Sequence, residues 1–330
     1  MRETYLGRSG LVVSELCLGT MTFGGPCGLE DSRAIVDRFR SEGGTFLDTA
    51  DVYNEGRSEE VLGEIVKGYR DEVVIATKAF GGTGPGANDR SASRRHLVRA
   101  VDDSLRRLGT DYIDVYQIHV FDETTPLDES LRTLDDLVRA GKVLYVGVSN
   151  YVGWQVERAC RIQEASGFDP LVCLQPQYSL VERQVELETL PAARANQLGI
   201  LAWSPLAAGF LTGKYTRGED AGGKGRFAAW IDNMGERGWA TLDVVRDVAR
   251  AHEVPPAAVA LAWLRAHHDV VPIVGATRID HLDATLPSVD VVLSGEERER
   301  LDEVSSPERG YPWDFGGLQG RRPPRLLRIP

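Results

Sequence analysis

Short apolar runs recur along this chain, most of them at intervals of about 30 to 40 residues, with amphipathic segments between them. Runs of this kind are typical of strands that are buried on both faces. We predict eight strands, near Glu15–Leu18, Thr45–Asp48, Val73–Lys78, Tyr112–His119, Val143–Ser149, Leu171–Gln175, Ile200–Ser204 and Val270–Val274. This regular alternation constrains the fold more than any other feature of the sequence.

The segments between the runs carry apolar residues at helical spacing. Examples are Leu97, Val101, Leu105 and Leu108, then Leu131, Leu134 and Val138, and later Val244, Val248 and Ala249. Strands joined through crossovers of this length pair in parallel, and eight such units without a linker close into a TIM barrel. We therefore predict one α/β domain over residues 1–330, a (β/α)8 TIM barrel, with a doubly wound parallel sheet as the alternative.

Three segments lie outside this repeat. Ser9-Gly10 predicts the turn of an N-terminal β-hairpin. The segments Gly209–Gly238 and Pro307–Pro330 are rich in Gly, Pro and charged residues. We interpret both as long loops over one mouth of the barrel, the C-terminal one.

Charge and cysteine usage exclude several classes of function. The formal net charge of −11 argues against a nucleic-acid partner, which would require clustered Lys and Arg. The four cysteines form no C-x-x-C pair and show no zinc-like spacing with histidine, so neither a metal site nor a disulfide framework is expected. A reducing, cytoplasmic location fits this usage. No signal sequence is visible and no apolar run approaches the roughly 18 residues of a membrane span, so we expect no membrane association.

Four residues with acid–base chemistry fall near neighbouring strand ends. Asp48 ends the second predicted strand, Lys78 the third and His119 the fourth, while Tyr53 follows Asp48 by five positions. In a TIM barrel these positions share the C-terminal rim, where catalytic residues collect. Each residue alone has an ordinary structural explanation, and it is their joint placement that predicts a site.

These residue types suit the delivery of a proton to a carbonyl oxygen while hydride reaches the carbonyl carbon. A free phenol has a pKa of about 10, and a nearby ammonium group lowers it. We therefore assign Tyr53 as the general acid and Lys78 as that ammonium group. Asp48 would keep Lys78 charged and oriented, and His119 would hydrogen-bond the substrate oxygen or relay its proton.

A glycine-rich stretch offers a competing interpretation. The letters GTGPGA from Gly82 to Ala87 fit the dinucleotide-binding pattern G-x-G-x-x-G/A after a strand. That motif requires a helix to open at its last small residue, whereas the helical pattern here begins only near Ser93. We interpret the stretch as a loop, with Ser93 as the N-cap of the next helix.

A metal-dependent hydrolase barrel is a second alternative. Its ligands would be Asp48, Asp51, His119 and Asp122. The sequence lacks the paired histidines on one strand that would complete such a ligand shell. We therefore predict no metal.

The three motifs that bear the acid–base residues resemble the aldo-keto reductase superfamily, in its order and spacing. They are FLDTADVYNEGRSEEVLGE from Phe46 to Glu64, VVIATK, and DYIDVYQIHVFD. The stretches GKVLYVGVSNY, LQPQYSL and LAWSPLAAGFLTGKY resemble cofactor-binding segments, the last most like the bacterial aryl-alcohol dehydrogenase branch, to which potassium-channel β subunits are related. The resemblance implies a TIM-barrel enzyme that reduces aldehydes or ketones to alcohols with NADPH as its cofactor.

The resemblance also implies roles toward NADPH. Ser149, Asn150 and Gln175 would contact the nicotinamide carboxamide, and Trp203 would stack on the nicotinamide ring. Residues 204–214 would follow the pyrophosphate, and Arg226 would reach it or the 2′-phosphate. The implied cofactor residues are Thr20, Asp48, Ser149, Asn150, Gln175, Trp203, Ser204, Leu206, Gly209, Leu211, Lys214, Arg226, Gly275, Thr277, Arg278 and His281.

The stretch IVGATRIDHLDATL resembles the segment that binds the 2′-phosphate and the adenine. Thr277 and Arg278 would bind the phosphate that separates NADPH from NADH. Similar proteins usually carry Gln, Glu and Asn where this chain has His281, Ala284 and Thr285, so the adenine contacts are altered. A preference for NADPH is expected, with its strictness left open.

A nucleotide-binding regulatory subunit similar to potassium-channel β subunits is the alternative function, and the complete set of four acid–base residues favours an enzyme. The substrate is expected to be an apolar small molecule with a carbonyl group, aromatic or of medium size. Apolar residues in the loops that would select it are Met21, Phe23, Phe80, Val120, Phe121, Phe227, Trp230, Tyr311, Trp313 and Phe315. The sequence is compatible with a homo-oligomer without indicating one.

Overall fold

A computed structural model describes residues 1–82, 84–218, 231 and 234–314 of the chain. An antiparallel hairpin opens the fold, with β1 at Glu3–Tyr5 and β2 at Val12–Ser14. The predicted turn residues Ser9 and Gly10 lie in its connection, where the Leu6 N–H donates to the Leu11 carbonyl at 2.9 Å.

Eight parallel strands close into a barrel, as predicted, with each strand paired to the next and the last paired to the first. The closing pair aligns Ile273 with Cys17 and Val274 with Leu18. The strands are β3 Cys17–Gly19, β4 Phe46–Asp48, β5 Val74–Ala79, β6 Ile113–Ile118, β7 Val143–Ser149, β8 Leu171–Gln175, β9 Gly199–Ala202 and β10 Val270–Gly275. The doubly wound sheet is excluded, because such a sheet does not close.

Helices follow the barrel strands and pack outside them. The one that follows β5 shows why the sequence folds this way, since the Ser93 hydroxyl caps its start, Gly109 ends it at a φ of +65°, and Leu97 and Val101 are buried on its inner face. The helices of the described residues are Leu29–Ser41, Arg57–Val66, Arg94–Leu108, Leu127–Arg139, Gly153–Ser166, Thr189–Ala195, Glu236–Ala251, Pro256–Arg265, Ile279–Asp283 and Gly295–Val304.

The glycine-rich stretch after β5 does not open a helix. Its described residues, Gly82 and those from Gly84 to Ala87, precede a helix that begins only at Arg94. The rejection of the dinucleotide-binding motif and the assignment of Ser93 as an N-cap are therefore confirmed.

The barrel interior is filled from the bottom by apolar side chains. Phe46, Ala76 and Cys173 form a buried cluster there together with Leu6 and Val13 of the hairpin. The hairpin therefore covers the N-terminal end of the barrel, and the Ser14 hydroxyl accepts hydrogen bonds from the Thr45 and Phe46 amides at 3.1 and 3.2 Å.

Polar side chains replace the apolar filling at the opposite end. Asp48, Lys78 and Gln175 each lie two positions beyond a residue of the interior cluster, so they face the same side of their strands. Asp48 on β4 and Gln175 on β8 contact each other although their strands are not neighbours. This contact crosses the interior and places the polar layer at the C-terminal mouth.

The two predicted long loops are described only in part. Residues 209–218 contain an irregular turn and no strand, and a helix has begun by Glu236, so the predicted loop ends earlier than Gly238. Residues 307–310 have no regular structure and 311–314 form a turn, while 315–330 lie outside the described residues. In the parts of the chain that the structure describes, no helix has the length and apolar character needed to span a bilayer.

Candidate active site

A buried ion pair occupies the centre of the C-terminal mouth. The Lys78 ammonium donates to the Asp48 carboxylate at 2.6 Å and to the Thr49 carbonyl at 2.7 Å. The Lys78 side chain is 0% exposed and that of Asp48 is 4% exposed. Gln175 donates to the second Asp48 oxygen at 2.9 Å, so both carboxylate oxygens are hydrogen-bonded.

The charge of Lys78 is maintained by its neighbours. Burial alone would lower the pKa of this ammonium group, but the Asp48 carboxylate and the Tyr53 hydroxyl outweigh it and raise the pKa above its ordinary value. Lys78 is therefore a cation throughout the physiological pH range. Removing either partner of such a buried ion pair would leave the other charge uncompensated and would strongly destabilise the protein.

Tyr53 reaches the ion pair from a tight turn after β4. Its hydroxyl lies 3.5 Å from the Lys78 nitrogen, which stands 5.1 Å from the centre of the Tyr53 ring. The next two residues, Asn54 and Glu55, have left-handed backbones, with φ values of 49° and 60°. The Asn54 amide holds the turn by donating to the Met21 and Phe23 carbonyls at 2.9 and 2.7 Å.

His119 follows β6 and borders the same space. Its ring meets the Tyr53 ring edge-on, with centroids 5.9 Å apart. Burial and the nearby Lys78 charge lower the pKa of His119 to about 3. The imidazole is therefore neutral at physiological pH, and it can donate one hydrogen bond without carrying a charge. The structure thus brings all four predicted acid–base residues together.

A buried hydroxyl chain supports the Asp48 backbone. Thr20 donates to the Asp48 carbonyl at 3.0 Å and contacts the Ser58 hydroxyl at 2.8 Å, while Ser58 also contacts the Thr49 hydroxyl at 2.9 Å. The sequence interpretation missed Ser58, although it lies within the motif that contains Tyr53. Thr20 is fully buried, so its hydroxyl acts within the protein.

Four of the predicted cofactor residues meet at the rim beside His119. Ser149 ends β7 and donates to the carbonyl of Gln175, the last residue of β8, at 2.9 Å. Trp203 follows β9, and its indole N–H donates to the Asn150 side-chain oxygen at 3.0 Å. Asn150 in turn donates to the His119 carbonyl and to the Ser149 hydroxyl, both at 3.0 Å.

The segment after Trp203 has an unusual backbone that suits an anion. Ser204, Ala207 and Ala208 all have positive φ values, near 52°, and Gly209 has a φ of 88°. Consecutive turns of this type aim backbone N–H groups toward one side. A Cβ on Gly209 would lie 3.0 Å from the Lys214 ammonium, so glycine allows this cation to approach the main chain. Leu211 is buried beneath the segment and Leu206 is partly buried.

The predicted phosphate-binding residues lie at the end of β10. Gly275 is its last residue, and the Thr277 hydroxyl lies 3.1 Å from Nδ1 of His281. Arg278 is 67% exposed and forms a two-point ion pair with Asp280. Lys214 and Arg278 each supply a cation. Together they suit a dinucleotide that carries one phosphate group near residue 214 and another near residue 278. Arg226 lies outside the described residues.

Two carboxylates of the alternative metal site, those of Asp122 and Asp51, lie in surroundings that differ from a metal ligand shell. Asp122 accepts hydrogen bonds from the Ala92 amide and from Thr124 and Thr125, and therefore stabilises a loop. Asp51 is buried, and neither of its carboxylate oxygens has a hydrogen-bond partner among the described residues. Those residues also contain no cluster of three or more His, Cys, Asp or Glu side chains suited to a metal ion.

The apolar residues predicted to select the substrate divide into separate groups. Met21 and Val120 are exposed at the rim, whereas Phe23 is fully buried in the outer core and cannot contact a substrate. Phe121 packs edge-on against Tyr151. Phe80 is partly buried and Tyr311 is exposed. The residues that lie outside the described ones are Phe227, Trp230 and Phe315.

Comparison with known proteins assigns the chain to a family. The model of the Aldo/keto reductase family matches residues 15–306, and the chain belongs to this family. It is 38% identical over 316 residues to the uncharacterized oxidoreductase YrpG of Bacillus subtilis, which covers 92% of this chain and 96% of that protein. The protein is therefore an oxidoreductase of the aldo/keto reductase family.

Two further relatives represent the branch that the motifs indicated. A probable voltage-gated potassium channel subunit beta of Oryza sativa subsp. japonica is 34% identical, over 94% of this chain and 98% of the relative. The aryl-alcohol dehydrogenase [NADP(+)] of Phanerodontia chrysosporium is 32% identical, over 92% of this chain and 86% of the relative. The predicted relationship to this branch is confirmed.

We expect His119 to remain neutral from pH 8 down to pH 5, because burial and the Lys78 charge lower its pKa to about 3. In NMR spectra, its imidazole resonances, assigned by comparison with His119→Asn, should not move over this range. A titration near the ordinary histidine pKa of about 6.5 would contradict this prediction.

We expect Asp51→Asn to stabilise the protein more as the pH rises. Burial and the neighbouring Glu59 raise the pKa of Asp51 to about 8, whereas an unfolded aspartate ionises near pH 4. The Asp51 carboxyl therefore costs stability as the pH rises between these values, by at most about 1.4 kcal/mol per pH unit.

Urea unfolding at several pH values tests this expectation, with the exposed Asp111→Asn as the matched control. The gain from Asp51→Asn should grow between pH 5 and 8 and level off above it. A gain that is independent of pH would show that the Asp51 carboxyl is ionised in the folded protein.

Proposed function

We propose that the protein reduces an aldehyde or ketone to the alcohol, with NADPH as the reductant and Tyr53 as the general acid. One observation carries this proposal: a buried ammonium group, Lys78, stands between the Asp48 carboxylate and the Tyr53 hydroxyl. A cation in this position stabilises the phenolate that remains after Tyr53 has given up its proton. When bound, NADPH supplies the hydride for the carbonyl carbon.

Each of the four residues has a distinct task in this reaction. Tyr53 donates its hydroxyl proton to the substrate oxygen as negative charge develops there, and Lys78 stabilises the charge left on the phenolate. Asp48 keeps the ammonium group ionised and aimed. His119, neutral because of its low pKa, donates a hydrogen bond to the same substrate oxygen and orients the carbonyl group.

The chain's own residues also suit the dinucleotide. Ser149, Asn150 and Gln175 offer amide and hydroxyl groups at the rim, where the carboxamide would bind, and the partly exposed Trp203 offers an aromatic face. The remaining contacts proposed for NADPH are Asp48, Ser204, Leu206, Gly209, Lys214, Arg226, Gly275, Thr277, Arg278 and His281, whereas the fully buried Thr20 and Leu211 would support the site from within the protein. The name of the relative aryl-alcohol dehydrogenase [NADP(+)] includes this nucleotide, which supports the choice of cofactor.

A regulatory subunit is the less favoured function. The rice relative is named as a probable channel subunit beta, and it is similar to this chain over nearly its whole length. The intact acid–base group favours an enzyme, because a nucleotide-binding role does not require a buried ammonium beside a phenol. Oxidation of NADPH in the presence of a panel of aldehydes distinguishes the two functions.

We expect Tyr53→Phe to abolish most carbonyl reduction, by about 100-fold to 10,000-fold in kcat, because it removes the proton donor. The dissociation constant of NADPH, measured by fluorescence titration, should remain within about twofold of wild type, since no cofactor contact is lost. A variant that keeps more than about a third of wild-type turnover, with chemistry limiting the rate, would exclude Tyr53 as the acid.

We expect Arg278→Ala to weaken NADPH binding by about 10-fold to 150-fold and NADH binding only slightly, because one charge-assisted contact to the 2′-phosphate is lost. Fluorescence titration of each nucleotide measures the effect. The matched control is Arg250→Ala, because Arg250 is also an exposed arginine paired with a nearby aspartate. Equal losses for both nucleotides would mean that Arg278 supports the loop without reading the phosphate.

A further inference from the structure

Asn150 links three elements of the rim through one side chain. Its amide nitrogen donates to the His119 carbonyl and to the Ser149 hydroxyl, and its amide oxygen accepts from the Trp203 indole, each at 3.0 Å. His119 lies 31 residues before Asn150 in the chain, and Trp203 lies 53 residues after it. The side chain therefore connects the ends of β6, β7 and β9.

The geometry of Asn150 favours this bridging role. Two N–H groups are all that a carboxamide can donate, and both are used within the protein. The backbone of Asn150 is left-handed, with a φ of 57°, which asparagine tolerates better than most residues. This conformation accompanies a side chain that reaches sideways along the rim to the neighbouring strand ends.

Trp203 has a particular need for such a partner. It lies just beyond the end of β9 and is only partly buried, so core packing constrains its ring less than that of an interior tryptophan. The indole has a single polar hydrogen, and because the ring is also attached at Cβ, the direction of this N–H bond defines the plane of the ring. The hydrogen bond to Asn150 therefore selects one orientation among the rotamers that are open to a side chain at the rim.

We propose that Asn150 is a positioning residue that fixes the plane of the Trp203 indole relative to the main chain of His119. This inference rests on the proposed function, in which Trp203 stacks on the cofactor. Asn150 then fixes the position of the Trp203 stacking surface relative to His119, which hydrogen-bonds the substrate oxygen. The second lone pair of the Asn150 oxygen remains for the carboxamide, so positioning and direct contact are compatible.

The contact itself is tested without any nucleotide. In NMR spectra of the protein alone, Asn150→Ala should shift the Trp203 indole N–H resonance, assigned with Trp203→Phe. It should also accelerate the hydrogen exchange of this N–H by at least about threefold, because its hydrogen bond is lost. The indole of Trp263, which donates to Asp302 at 3.0 Å, is the internal reference and should not change. An unchanged Trp203 resonance would overturn the proposal.

A double-mutant cycle then asks whether Asn150 acts through Trp203. We expect Asn150→Ala to raise the dissociation constant of NADPH by about 3-fold to 10-fold, the cost of one net hydrogen bond. Trp203→Phe keeps an aromatic ring but removes the N–H. In that background Asn150→Ala should have a smaller effect than in the wild type, because only its direct contact with the carboxamide is left to lose.

The outcomes separate the two proposals. If the effects of Asn150→Ala and Trp203→Phe multiply, Asn150 acts on the nucleotide by direct contact alone and the positioning role is wrong, while the proposed function stands. A wild-type protein that binds neither NADPH nor NADH overturns the proposed function, and the positioning role with it, even where the indole contact is present. Asn196→Ala is the matched control, because Asn196 is a hydrogen-bonded asparagine before the start of β9, at the opposite end of the barrel, and should leave binding unchanged.

Discussion

The ion pair between Lys78 and Asp48 is the interaction on which the site depends. Two charges with almost no solvent exposure would be costly to bury singly, and the pair is stable only because its remaining polar atoms are bonded as well. The Thr49 carbonyl and the Gln175 amide supply those bonds. Gln175 ends β8 and Thr49 is the first residue after β4. The closed barrel therefore fixes the distance between the Lys78 and Asp48 charges.

The barrel makes this arrangement possible through the period of its strands. Alternate residues face the interior, so a strand that ends in Phe46-Leu47-Asp48 places its phenylalanine in the apolar layer and its carboxylate in the layer above. The hairpin covers the opposite end with Leu6 and Val13. Water is thereby kept from one end of the interior, and the polar layer opens only toward the C-terminal mouth.

Most of the fold could be predicted from the sequence, because eight apolar runs leave few ways to bury them. The strand ends predicted from the sequence place Asp48 and Lys78 correctly on one rim, although β4 starts at Phe46 and not at the predicted Thr45. Contacts between distant residues could not be predicted in this way. The unpartnered Asp51 and the bond from Trp203 to Asn150 depend on side-chain directions in loops, where no period constrains them. The burial of Phe23 was missed for the same reason.

The opposite protonation preferences of Lys78 and His119 follow from their shared environment. Both are basic and close together, and burial penalises the charged form of each. Lys78 has a carboxylate at 2.6 Å that outweighs this penalty, whereas His119 has the Lys78 charge as its main electrostatic neighbour, which adds to the penalty. One positive charge is therefore retained where two basic groups meet. Under the proposed reaction, this leaves the Tyr53 phenol as the group that can release a proton, and it leaves His119 as a neutral donor that orients the carbonyl without competing to protonate it.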